Sequence, residues 1–414
     1  MRLDLVHLEN LGPIQSIDLP LHPRFNVIVG ANGAGKTTIL RAISTMLARY
    51  ASALRTGRAA SPFASTVPIR RGEAFFKVVI EASDGSRSFQ WSGGRRKLGS
   101  KVPLSEAGEL LNFAQALSDD LALAPESACV PIVASYPIGR SVYVHLRPKS
   151  KERFAQLAAL DDSALNNSRD FREFFAWFRE QEDFENERKL DEAGHHYVDP
   201  QLEAVRHAIS SLMPGFTQLR VRRRPRLELL VNKGETIVRV DQLSDGEKGV
   251  LALAGDLARR LAMANPGRLD PLEGSGVVLI DELELHLHPA WQRSVVRNLQ
   301  STFPNLQFIV TSHSPQVLSE VEGAQVFLLS DGKLAAAEDS YGRDSGMILE
   351  ELMGTPARPG RIMEEISALY ELIDEKRFPD ARKALGALED KVGSDDPKLI
   401  TARLLLRPRS ATAS

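Results

Sequence analysis

A single cysteine, Cys129, stands in a chain of 414 residues. One thiol cannot form a disulfide within the chain, and it excludes structural metal sites built on several cysteines. No run approaches the roughly 18 consecutive apolar residues of a membrane span. The opening, MRLDLVHLENLGPIQ, also lacks the basic-then-apolar order of a secretory leader. A cytoplasmic protein with no membrane partner is therefore expected. Charge of either sign is not in excess: 52 Lys and Arg face 54 Asp and Glu, a formal net charge of −2. Any contact with nucleic acid has to come from a local patch, because no global basic field exists. No heptad pattern is sustained, which excludes a long coiled coil, and no internal repeat or low-complexity tract is present. What remains, 43% hydrophobic and 26% charged, is an ordinary globular composition, long enough for two or three domains.

Along the chain, strand-like alternation leads into the apolar run Phe25–Val29, which ends at Gly30. Ile39, Leu40, Ile43 and Leu47 then fall on one stripe of a helix over 37–49. Residues 75–91 read as a hairpin about Asp84-Gly85. From about 105 to 212 the pattern is mostly helical, and strands return over 218–240. A helix, a strand, a helix, a strand and a hairpin follow in turn, the hairpin over 326–335. The tail from about 346 reads as three helices, broken around Pro359, Phe378-Pro379 and Gly393–Pro397. Strands alternating with helices in both flanks predict an α/β fold. The head would comprise residues 1–95 and 215–345, with a largely helical insertion over 96–214 and a C-terminal helical segment over 346–414.

Gly30-Ala31-Asn32-Gly33-Ala34-Gly35-Lys36-Thr37 fits the pattern G-x-x-x-x-G-K-[ST], between a strand and a helix, where a phosphate loop must lie. Glycines let backbone N–H groups wrap phosphates at a helix N-terminus. Lys36 supplies a point charge for the β- and γ-oxygens, and Thr37 offers a hydroxyl to Mg²⁺. The chain is thus expected to bind a nucleoside triphosphate.

Downstream, the apolar strand over 277–280 ends in Asp281 and Glu282. Asp281 would hold Mg²⁺, usually through water, and Glu282 would orient and deprotonate the attacking water. A second apolar strand ends in Thr311, Ser312 and His313, where an imidazole can hydrogen-bond a γ-phosphate. His286 and His288 have a spacing common in metal sites, but only oxygen ligands lie near, so a loop facing a neighbouring subunit fits better. Ser244-Asp245-Gly246-Glu247 opens an apolar helical run with capping residues three apart, either as a plain helix start or as half of a nucleotide site.

Taken in this order, the phosphate loop, Ser244–Lys248, Val277–Glu282 and Thr311–Pro315 resemble the ABC-type ATPase heads, the class of SMC, RecF and the double-strand-break-repair ATPases. The resemblance covers about residues 1–60 and 235–335. It implies a head-to-head dimer with two ATP molecules sandwiched between subunits. The implied ATP contacts are Gly30, Asn32, Gly33, Ala34, Gly35, Lys36, Thr37 and Thr38 of one copy, with Ser244, Gly246 and Glu247 of the other. Thr37 and Asp281 would hold Mg²⁺, and Glu282 and His313 would be catalytic. Asp245 stands where the class has a second glycine, and Glu284 is the nearest acid in the loop after the acidic strand.

A narrower resemblance runs through residues 174–187, 243–266, 281–292, 303–317 and 368–389, to stand-alone ATPases of bacterial anti-phage defence, of the Septu and retron-associated kinds. It implies a nucleotide-gated regulator or scaffold acting with a separate nuclease. About 100 residues follow His313 and hold no acidic cluster suited to a two-metal nuclease. The tail stripes Ile362, Ile366, Leu369, Ile373 and Ala384, Leu385, Leu388 could dock a partner or fold back on the head. Direct, sequence-independent DNA contact stays open through Arg220, Arg222 and Arg224, through Arg95, Arg96 and Lys97, and through Arg70 and Arg71. A RecF- or SMC-like repair or chromosome-maintenance role is the alternative. The aromatics Phe171, Phe174, Phe175, Trp177 and Phe178 have the helical spacing of a core face, and Arg140 is a candidate link from nucleotide to insertion.

Overall fold

Alternation of buried and solvent-facing residues makes a long first strand, β1 (Arg2–Leu11), which pairs with β2 (Ile14–Pro20) across a turn containing Gly12. The computed structural model describes residues 1–60, 63, 67–85, 87–97, 104–125, 127–138, 156–161, 171–191, 197–285, 287–321, 325–337, 340–352, 354–356 and 358–406. These fall into two compact units, 1–345 and 346–414. Among the described residues, no helix is long and apolar enough to cross a membrane.

The first unit is α/β, with three sheets. β3 (Phe25–Val29) leads through the glycine-rich loop into α1 (Lys36–Thr56). β4 (Phe75–Asp84) and β5 (Arg87–Arg96) form the expected hairpin, with Gly85 at a left-handed φ of 62° and Asp84 opposite Arg87. The antiparallel order is β2-β1-β4-β5. The stripe expected on α1 holds, for Ile39, Leu40, Ile43 and Leu47 are all buried.

The second sheet is built from β6 (Ile132–Tyr136), β10 (Gly276–Ile280), β11 (Leu306–Thr311), β12 (Gln325–Ser330), β13 (Lys333–Ala336) and β3, in the order β13-β12-β3-β11-β10-β6. All neighbours are parallel except β12 and β13. β3, β6, β10 and β11 are buried along their whole length, which is why they read as unbroken apolar runs.

The span 96–214 supplies α2 (Gly108–Leu123), α3 (Phe171–Asp191) and α4 (Pro200–Leu212), but it is not purely an insertion. It also gives the sheet its edge strand, β6, in register with β10 from Ile132 opposite Gly276 to Tyr136 opposite Ile280. A five-residue apolar run has no period to distinguish it from buried helix, so only the pairing reveals that role. Phe174, Phe175, Trp177 and Phe178 of α3 are core residues, as their spacing predicts, whereas the side chain of Phe171 lies outside the described set.

A third sheet, β7 (Phe216–Arg222), β8 (Glu228–Lys233) and β9 (Thr236–Arg239), precedes α5 (Asp245–Ala264). α6 (Pro289–Thr302) follows the acidic strand, and the short α7 (Pro315–Ser319) follows β11.

α8 (Ser345–Glu351) leads into the second unit, whose α9 (Gly360–Asp374), α10 (Phe378–Val392) and α11 (Pro397–Leu405) start and stop where proline and glycine predict. Ile366, Leu369, Ile373, Ala381, Leu385, Leu388, Leu399, Ala402 and Leu406 form one cluster, with Ile362 and Ala384 packed against it. The apolar stripes of the tail thus bury one another, which neither sequence alternative anticipated.

Candidate functional site

Three neighbouring parallel strands end at one edge of the large sheet. β3 runs into the phosphate loop, β10 into Asp281 and Glu282, and β11 into Ser312 and His313, with β11 between the other two. The carboxyl edge of such a sheet is where α/β proteins bind ligands.

The loop's glycines answer distinct demands. A Cβ on Gly30 would lie 2.3 Å from the Leu329 carbonyl oxygen of β12, so only hydrogen fits there. Gly33 (φ 82°) and Gly35 (φ 111°) take the left-handed conformation that L side chains resist. The loop closes through the Ala34 N–H, which donates to the Ala31 oxygen at 3.2 Å, and leaves Asn32 exposed at its tip. Gly35 is the N-cap of α1 without a capping side chain, so the first-turn N–H groups of Lys36, Thr37 and Thr38 are not consumed by a cap. The Lys36 ammonium arches back over the loop and donates to the oxygens of Gly30 at 2.8 Å and Ala31 at 3.1 Å. Burial lowers its pKa, while Asp281, Glu282 and Glu284 act to raise it.

Asp281 is buried, its N–H donating to the Tyr136 oxygen at 2.9 Å. The Thr311 hydroxyl donates to Asp281 Oδ1 at 2.6 Å and accepts the Glu282 N–H at 2.8 Å. Glu282 sits at φ 51°, a costly backbone for a residue with a Cβ. Thr311, read from sequence only as a strand end, is therefore the clamp that fixes both acids. His313 donates its main-chain N–H to Glu284 Oε1 at 2.5 Å. Beside it, Ser314 caps α7 and donates its hydroxyl to Gln292 Oε1 at 2.7 Å.

Ser244 caps α5 as expected: its Oγ accepts the Glu247 N–H at 3.3 Å, and Glu247 Oε2 accepts from the Ser244 N–H and hydroxyl at 2.9 Å each. The other Glu247 oxygen pairs with Lys233 at 2.7 Å. Burial pushes the Glu247 carboxyl up, but Lys233 and Ser244 outweigh it and hold it below the usual carboxylate range. Its two oxygens are both engaged within the chain, so Glu247 acts through the cap. Gly246 lies in the first turn, and Asp245 is exposed beside Lys248, 3.6 Å away. Among the described residues, no hydrogen bond or ion pair joins Ser244, Gly246 or Glu247 to the phosphate loop of the same chain.

The donor set fits a triphosphate with its cation. Free first-turn N–H groups and an ammonium suit phosphate oxygens, while Thr37 and the buried Asp281 carboxylate suit a hard cation. Of the two histidines after the acidic strand, only His288 is described. His288 Nδ1 accepts the Ala290 N–H at 3.3 Å as the N-cap of α6, and His286 lies outside the described residues, as does Arg140.

Part of the basic stretch is paired within its own fold. Arg222 pairs with Glu228, and Arg223 pairs with Asp183 and, at 2.9 Å, with Glu182. Arg220 donates to Asn232 Oδ1 at 2.9 Å, Arg70 to the Pro13 oxygen, and Arg95 stacks over Phe76. Sequence reading missed one further constellation, fully inside the head. Asp256 of α5 accepts from the Tyr136 hydroxyl, Arg259 and Arg260, at 2.8 Å each. Three charges within five residues of the apolar stretch over 250–264 were the available signal.

A family model described as "AAA domain" matches residues 5–214, and a second AAA-domain model matches residues 137–319. The chain is similar to "Retron Ec83 probable ATPase" of Escherichia coli, 28% identical over 99% of this chain and 87% of that protein. It is also similar to "Septu protein PtuA" of Bacillus thuringiensis, 23% identical over 95% of this chain and 90% of that protein. Among solved structures it is similar to an SMC head bound to the C-terminal winged-helix domain of ScpA, with TM-score 0.49 and 18% identity, over 81% of this chain and 98% of that one.

Proposed function

Because the chain belongs to the AAA-domain family, whose model spans half its length, we propose that it binds and hydrolyses ATP. Its heads dimerise around the nucleotide, and the dimer regulates or scaffolds a separate nuclease in anti-phage defence. The observation that carries this is the convergence of Lys36, Asp281, Glu282 and His313 at the ends of three adjacent strands.

The first-turn N–H groups and Lys36 would hold the phosphates, with Lys36 stabilising negative charge as the terminal bond breaks. Thr37 and Asp281 would hold Mg²⁺, which when bound neutralises charge on the β- and γ-oxygens. Glu282, its backbone fixed by Thr311, would accept a proton from the attacking water. His313 would hydrogen-bond the γ-phosphate. The α5 N-terminus, with Ser244 and Gly246, would meet the nucleotide of a second copy, since a capped helix start is a ready anion site.

Two observations favour an effector in trans over direct action on DNA. Relatives aligned over nearly the whole chain include a retron ATPase and a Septu protein. Of the strand arginines that would track phosphates, Arg222 is committed to Glu228, and the neighbouring Arg223 to Asp183 and Glu182. Purification from the native host in MgATP is expected to bring down a nuclease with the full chain, and none with residues 346–414 deleted. DNA retained in place of a nuclease would contradict this and favour the RecF-like alternative.

A further inference from the structure

Glu284 is two residues beyond the proposed base, in the turn that follows β10, and the reaction as described does not use it. Its Oε1 accepts the main-chain N–H of His313 at 2.5 Å, across 29 residues of sequence. Its Oε2 is buried and, among the described residues, meets no hydrogen-bond donor. A buried carboxylate oxygen without a partner is rare enough in folded proteins to call for a role. Around Glu284, Leu283 donates its N–H to the Thr311 oxygen at 3.0 Å and Leu287 donates to the Glu284 oxygen at 2.9 Å. A second tie runs parallel to the first: Gln292 donates to the Leu287 oxygen at 2.9 Å and accepts the Ser314 hydroxyl at 2.7 Å. The histidine loop is thus gripped on both sides of His313 by the segment that follows the acidic strand.

We propose that Glu284 is the positioning residue for His313, setting the imidazole against the γ-phosphate through the main-chain N–H. This rests on the ATPase reading above. A carboxylate that accepts a backbone N–H fixes the Cα of the residue that donates it, and a side chain aimed at a reacting group from a displaced Cα loses its alignment. Because the grip starts from the same turn as Glu282, base and histidine keep a constant separation. What matters in this role is the place of an acceptor oxygen, and its charge is secondary.

Three variants separate place from charge. Glu284→Gln keeps an acceptor oxygen at the same reach and removes the charge. Glu284→Asp keeps the charge and withdraws the oxygen by one methylene. Glu284→Ala removes both. Glu284→Ala and Glu284→Asp are expected to lower kcat by about tenfold or more, with ATP affinity within about twofold, whereas Glu284→Gln stays within about threefold of the parent. In protein labelled with [15N]histidine, the His313 amide resonance, assigned by its loss in His313→Ala, moves in the Ala and Asp variants and stays closer to the parent in Gln. Glu284→Gln as slow as Glu284→Ala, with Glu284→Asp active, would overturn the proposal and make the charge the working feature. An unmoved His313 amide in Glu284→Asp would overturn it as well. If the unaltered chain releases no phosphate from MgATP, the ATPase reading fails, and the amide resonance alone still decides whether Glu284 positions His313. Should Glu284→Ala not fold, the Gln and Asp pair carries the test.

Discussion

At Lys36 two demands meet. The ammonium must sit out of bulk water to act strongly on phosphate, and it must stay charged. Burial works against the charge and lowers the pKa, an effect that Asp281, Glu282 and Glu284 offset only in part. The two loop carbonyls at 2.8 and 3.1 Å hold the side chain where phosphate oxygens would lie. Lys36→Ala is expected to weaken ATP binding by about a hundredfold or more, as loss of a charge-assisted contact in a shielded site implies. Equilibrium binding of a fluorescent ATP analogue measures it, and unchanged affinity would contradict the role given to Lys36. A compact point charge suits the inside of this loop better than a planar guanidinium would.

Among the elements, α5 carries the heaviest burden. Its N-terminus is the capped start at Ser244, and three turns later Asp256 sits fully inside the protein with Arg259, Arg260 and Tyr136. Arg260 also donates to the Ala159 oxygen at 2.8 Å and pairs with Asp161 at 3.1 Å. Phe174 of α3 packs so closely that a Cβ on Gly255 would meet its ring at 2.7 Å. The helix is thereby fixed to the edge strand β6 on one side and to the aromatic helix on the other. Burial would raise the Asp256 carboxyl, but the two arginines override it and hold the pKa at about 2.

An unfolded aspartate titrates near about 3.9, so this depressed group contributes about 2 to 3 kcal/mol above that pH, a contribution lost as pH falls towards about 2. Asp256→Asn leaves two buried guanidiniums short of countercharge and is expected to cost about 3 to 5 kcal/mol near neutrality. Urea unfolding at a series of pH values checks this. The gap between parent and variant should narrow as pH drops from about 5 towards about 2, and a gap independent of pH would contradict the assignment. Legibility followed range in the sequence. The phosphate loop, the capping box at Ser244 and Glu247, and the proline-bounded tail helices are local patterns, and they read directly. Tyr136 to Asp256 spans 120 residues and Glu284 to His313 spans 29, so no local pattern reports them. The apolar run before Arg140 reads as a strand, but its place at the edge of the large sheet lies in its partner β10.

At the scale of the whole molecule, the proposed nucleotide site has two halves that, among the described residues, no hydrogen bond or ion pair joins within the chain. One half is the edge of the large sheet, with Lys36, Asp281, Glu282 and His313. The other is the α5 start, whose serine and glycine are presented on a helix end with their negative neighbours, Asp245 and Glu247, balanced by Lys248 and Lys233. A surface so balanced can approach a phosphate without repelling it, and in the proposed dimer a second copy would supply that phosphate. The tail unit has an apolar cluster of its own. Glu282→Gln removes the proposed base while leaving the nucleotide contacts in place, so it tests the joined site most directly. Sedimentation velocity of Glu282→Gln at saturating MgATP is expected to give a stable dimer that disperses without nucleotide and that Lys36→Ala cannot form. A Glu282→Gln protein that binds ATP and stays monomeric would contradict the shared site.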